Sequence, residues 1–220
     1  MNSPTLYLSA LVLLAAAFPS QLARIGMMLA GQPDTRRRPR AVVVQLWLPV
    51  TLTLVAGLAW YLSPVSGLAT LPGHWWWYPL AVAVGLAAPW WEVGAAAAPA
   101  LLRGRRVRRV RLTDRWPIGG GLVLVGALVA AVAEEVIFRG VGLHLLAGPL
   151  GWPVAVAVAV TAVVYGLNHL YFGLPAVAQK TLTGVAYGVL YVACGYSVWI
   201  PVLAHLTQNL VVLIWGRWCR

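Results

Sequence analysis

Residues 121–133 contain only Gly, Ala, Val and Leu, and Glu134 and Glu135 follow at once. A run of that kind has few structural options. In lipid the backbone must satisfy its own hydrogen bonds, which leaves the helix, and about 20 such residues cross a bilayer core. The same kind of run recurs along the chain. Residues 6–23, 41–62, 79–102, 118–146, 154–170, 176–193 and 198–215 are apolar stretches joined by short connections. The expected fold is all-α, a polytopic transmembrane helical bundle of about seven spans. Residues 1–117 would supply three spans with basic cytoplasmic loops, and residues 118–220 the core that carries the chemistry.

Charge sets the orientation. The net charge of +11 admits a nucleic-acid partner on its face, but its distribution argues against one. Of the 16 basic residues 15 are arginine, and most sit at 36–40 and 103–115, between apolar runs. That is the positive-inside signature of cytoplasmic loops, and such clusters also suit anionic lipid headgroups. The first run has no basic residue ahead of it and Arg24 behind it. It reads as an uncleaved span with the N-terminus outside. Alternation then puts the C-terminus, with Arg217 and Arg220, in the cytoplasm. His74-Trp75-Trp76-Trp77-Tyr78 ends an external loop as an interfacial aromatic belt. The usage of Arg and Ala suggests a GC-rich bacterial genome, and the expected location is a bacterial inner membrane. Cys194 and Cys219 have no disulfide or metal-ligand spacing.

Ionisable residues inside a bilayer are costly, about 2.5 to 3.5 kcal/mol each on insertion scales, and mark function by default. Five acids occur in the chain, and two of them are Glu134 and Glu135. Glu135 and Arg139 are four apart and share a helix face, so they can pair. Glu134 lies about 100° round the helix and points elsewhere. Glu92, in the third span, is a candidate partner for an arginine or an interface residue. A Gly/Pro turn at 147–153 follows the acidic helix, and Gly184 and Gly188 form a small-residue packing face.

Further polar residues stand out on later spans. Tyr165 and His169 are four apart, so the phenol can orient the imidazole. His205 and Asn209 are also four apart, on one face. No serine or cysteine lies within these motifs to act as a nucleophile. A buried glutamate can serve as general base on water, and a histidine can share the proton and return it to a leaving amine. A second histidine and an amide can donate to a developing oxyanion, often about 2.7 to 4 kcal/mol. The set suits amide hydrolysis by activated water. Glu134, His169 and His205 would also fit a catalytic zinc with an open position, although no HExxH is present.

Glu134-Glu135…Arg139, Tyr165…His169 and His205…Asn209, in that order on successive helices, resemble the CPBP family of intramembrane proteases. These are relatives of the type II CAAX prenyl endopeptidase, also called the Abi family. The resemblance covers roughly residues 119–215 and departs from the family at Tyr165, where phenylalanine is usual, and in a turn at 147–153 that lacks basic residues. It implies an endopeptidase acting on a membrane-embedded or lipidated protein substrate. Glu134 and His169 would activate water, His205 and Asn209 would form the oxyanion site, and Glu135 and Arg139 would be a structural pair. By charge alone the acidic helix runs outward. That puts Glu134 in the outer half and His169 near the inner end, two depths in conflict. Competing readings are a non-enzymatic bacteriocin self-immunity or scaffold protein on the same fold, and a small proton-relaying transporter, against which the absence of an internal repeat counts.

Overall fold

The computed structural model describes residues 6–7, 10–11, 14, 38–62, 70–104 and 121–218. Most of the proposed first span, the linker behind it, Arg36, Arg37, all but Arg103 of the second arginine cluster and Cys219 lie outside those residues. The described chain is helical, with no strand among the described residues. Its elements are α1 (Arg38–Leu62), α2 (Trp77–Leu102), α3 (Gly121–Glu135), a π-helical segment (Val136–Leu143), α4 (His144–Ala147), α5 (Val154–Leu167), α6 (Leu174–Ala193) and α7 (Trp199–Trp218). A 3₁₀ turn, Leu170–Phe172, joins α5 to α6. Because α3, the π segment and α4 follow without a break, the described residues make six helical rods. The expected count of seven includes the first run, which lies mostly outside the described residues. Among them one stretch, Trp77–Ala98, is long and apolar enough to cross a membrane, with 22 residues or about 33 Å of helix. Three more helices are apolar but shorter: Leu46–Leu62, Val154–Leu167 and Trp199–Ile214.

The helices pack closely because small residues line their contacts. Gly184 faces Ala162, where a Cβ would come within 2.9 Å of the Ala162 Cα, and Gly188 faces Val158. This is how α5 and α6 lie backbone to backbone. Gly85 of α2 meets the Ala204 carbonyl and Thr207 of α7 in the same way. The interior is filled by several groups, two of which flank the acidic residues' helix and its neighbours. Phe138, Ile137 and Tyr165 pack with Leu52 and Ala56 of α1, and Tyr187 and Leu190 pack with Ile200, Ala204 and Ala81. The outer faces remain apolar: Leu54, Val125, Val163, Val189 and Ile214 are exposed. Such a surface suits lipid rather than water.

The conflict of depths disappears in the structure. The first residue of α5 follows a turn in which Gly151 takes a positive φ of 65°. The helix ends at Leu167, not near residue 170. From the turn, Glu134 is about 20 Å back along one rod and Asn168 about 21 Å forward along the other, at 1.5 Å per residue. The end of α5 thus stops beside Glu134, where Asn168 Nδ2 meets the Glu134 carboxylate.

Candidate active site

The π segment sets the site's framework. Residues Ile137 to Leu143 are all buried, so this part of the rod is covered on every side. A π turn is wider than an α turn and is frequent at functional sites. Arg139 lies within it, 1% exposed. Its Nη1 donates to Glu135 Oε1 at 3.0 Å and its Nη2 donates to the Gly184 carbonyl at 3.0 Å. The guanidinium also lies 4.6 Å over the Tyr165 ring and 5.6 Å over the Tyr187 ring.

Glu135 has a second partner. His205 Nδ1 stands 2.8 Å from Glu135 Oε1. A carboxylate only accepts hydrogen bonds, so the proton of this contact is assigned to Nδ1, leaving Nε2 as the acceptor on a neutral ring. That Nε2 faces Glu134 Oε2 at 3.9 Å and the Tyr165 hydroxyl at 3.5 Å. Glu134 Oε1 in turn accepts from Asn168 Nδ2 at 2.6 Å. Four side chains from three rods, Glu134, His205, Tyr165 and Asn168, therefore meet at one buried point. Glu135 and Arg139 lie behind the histidine.

The other expected site residues are placed differently. His169 is half-buried, and its Nδ1 meets the backbone carbonyl of Tyr165 at 3.1 Å. The phenol of Tyr165 does not reach it. The two rings contact edge to face at 5.1 Å, and the hydroxyl turns to His205 instead. Among the described residues His169 makes no hydrogen bond to Glu134; its neighbour Asn168 does. Asn209 Nδ2 donates to the Ala127 carbonyl at 3.3 Å, about two turns along α3 from Glu134. Sequence reasoning passed over Asn168. The only signal was an amide next to His169 at the end of an apolar run. Among the described residues no three His, Cys, Asp or Glu side chains gather in a way that could hold a metal ion. Both site histidines engage Nδ1 and leave Nε2 as the second ring nitrogen.

Glu92, 4% exposed, is paired with a lysine and not with an arginine. Its Oε1 accepts from Lys180 Nζ at 2.7 Å, Thr183 Oγ1 at 2.7 Å and Gln208 Nε2 at 2.8 Å. Lys180 is the single lysine of the chain.

Paired carboxylates, histidines and a buried arginine thus gather at the centre of an apolar helical bundle. Residues 117–211 match the family model of the type II CAAX prenyl endopeptidase Rce1-like proteins. This segment, which holds every residue of the site, is similar to that family. The family and the apolar surface together make the chain that of a membrane protein. No curated protein and no solved structure matches the chain.

Proposed function

We propose that the protein is an intramembrane endopeptidase that hydrolyses a peptide bond of a membrane-anchored or lipidated protein with water activated by Glu134. The observation that carries this reading is the convergence of Glu134 on His205 Nε2, with the opposite face of the imidazole held by Glu135. Glu134 accepts a proton from water as the water attacks the scissile carbonyl. His205, held in place by Glu135, carries that proton to the leaving amine. Tyr165 and Asn168 are the donors nearest to the developing oxyanion. The family resemblance gives His169 to the water and His205 with Asn209 to the oxyanion. The distances favour the tighter set, with His169 at its edge and Asn209 as a tie between α7 and α3. No step in this scheme needs a metal ion.

The bundle is polytopic, with the arginine-rich linkers on the cytoplasmic side of a bacterial inner membrane, the N-terminus outside and the C-terminus inside. Residues 1–117 and 118–220 form one integrated bundle. The test is cleavage of membrane-tethered peptides by the purified protein in lipid, with and without a zinc chelator. Cleavage that survives the chelator and is lost in Glu134→Gln supports the scheme. Cleavage lost with the chelator alone would replace Glu-activated water with metal chemistry. Full activity of Glu134→Gln would end the Glu134 mechanism, and no cleavage by the wild type would favour the non-enzymatic immunity or scaffold role.

A further inference from the structure

Helix α2 lies outside the family-matched segment, yet it packs directly behind the helix that carries His205. Two independent contacts join them. At Gly85 the backbones touch: a Cβ there would come to 2.7 Å from Thr207 Cβ and would overlap the Ala204 carbonyl, the residue before His205. Two turns further along α2, Glu92 anchors a buried polar chain. Its Oε1 holds the Gln208 amide, and Gln208 Oε1 accepts from the Tyr187 hydroxyl at 2.8 Å. Tyr187 is 0% exposed. Its ring centroid lies 5.6 Å from that of His205 and 5.6 Å under the Arg139 guanidinium.

Each link has a reason to be rigid. An amide in a core can rotate end for end unless both ends are bound, and here Glu92 binds one end of Gln208 and Tyr187 the other. A buried phenol without an acceptor is costly, so Tyr187 is held in the single orientation that Gln208 permits. Lys180, half-buried, balances the charge of Glu92, while Thr183 both donates to Glu92 and accepts from Trp91 Nε1 at 3.1 Å. The ring that forms the wall behind His205 and Arg139 is therefore set from a carboxylate on another helix.

We infer that Glu92, Gln208 and Tyr187 are positioning residues for His205, and that α2 is thereby a working part of the active site. The inference rests on the proposed endopeptidase reading for its kinetic consequence, but its geometric content does not. The displacement of a reacting group by about 1 Å can cost up to about 100-fold in rate. Loss of the chain should therefore lower kcat and leave KM within about twofold, because none of the three residues touches substrate.

Two variants test it. Tyr187→Phe removes the hydroxyl link without changing volume or charge. The pair Glu92→Gln with Lys180→Met removes the anchor without leaving a buried ammonium alone. Both are compared with wild type by side-chain ¹⁵N spectra of histidine-labelled protein in micelles, with the His205 signals assigned through His205→Gln. The expected result is a shift or broadening of the His205 signals in both variants with those of His74 and His144 unmoved. In a cleavage assay kcat should fall by about 10-fold or more at constant KM. Folded variants with unchanged His205 signals would overturn the inference whatever the protein cleaves. If the signals move but Glu134→Gln remains fully active, the positioning stands and the role of Glu134 as the base fails.

Discussion

Replacing Arg139 with leucine should destabilise the protein by about 3 to 5 kcal/mol, the range for removing one member of a buried ion pair. Arg139 is 1% exposed and Glu135 is 0% exposed. Two unit charges 3.0 Å apart at an effective dielectric of about 20 attract by roughly 5.5 kcal/mol. In the wild type that attraction is largely offset by the desolvation of both ions. Removal of the guanidinium alone withdraws the attraction and keeps the penalty for Glu135, whose Oε2 has no hydrogen-bond partner. The Gly184 carbonyl also loses its donor. The double variant Glu135→Gln with Arg139→Leu removes both charges. It should cost less than the sum of the two single changes by about 2 kcal/mol, within the coupling usual for contacting residues. The assay is reversible unfolding in mixed micelles, followed by tryptophan fluorescence, for the four proteins of the cycle. An Arg139→Leu protein within about 1 kcal/mol of wild type would refute the argument. So would strict additivity of the two substitutions.

Asn168→Leu takes the amide donor from Glu134, and kcat should drop by about 10- to 100-fold with little change in KM. Asn168→Asp should be worse still, because it sets one carboxylate against another; steady-state kinetics on one tethered peptide compares them. Gly184→Ala puts a methyl group 2.9 Å from the Ala162 Cα and must part α5 from α6, at about 1 to 3 kcal/mol of overpacking, read by thermal unfolding in detergent. Asn209→Ala loses one hydrogen bond to α3 and should cost about 1 kcal/mol of stability with kcat within about threefold. A loss of about 100-fold or more in kcat would instead restore Asn209 to the oxyanion role, which is worth that much.

Particular residues show how far the sequence could be read. The helical class follows from uncharged runs such as 121–133, since lipid leaves the backbone no other choice. The contact of Glu135 with Arg139 follows from a four-residue spacing, and the packing at Gly184 and Gly188 from the absence of side chains. These are local facts, and local spacing encodes them. The π segment at Val136–Leu143 is not local in that sense. It is held by burial on all sides, and no periodicity signals an extra residue in a turn. The expected end of α5 at residue 170 overshoots Leu167 because no Gly or Pro intervenes before Gly173 to signal the break. Tyr165 and His169 have the spacing of a side-chain pair, yet the carbonyl of Tyr165 is the nearer acceptor. Glu92 and Lys180 are 88 positions apart, and only the fold brings them together.

The central claim is that Glu134 and His205 act on one proton as a unit. The most direct measurement is kcat for Glu134→Gln, His205→Gln and the double variant on the same tethered peptide in lipid. Residues that act as a unit are strongly non-additive. The account predicts that each single change lowers kcat by about 1,000-fold or more and that the double change lowers it hardly further. A double variant whose loss is the product of the two single losses, or a Glu134→Gln protein that retains most of its activity, would contradict it.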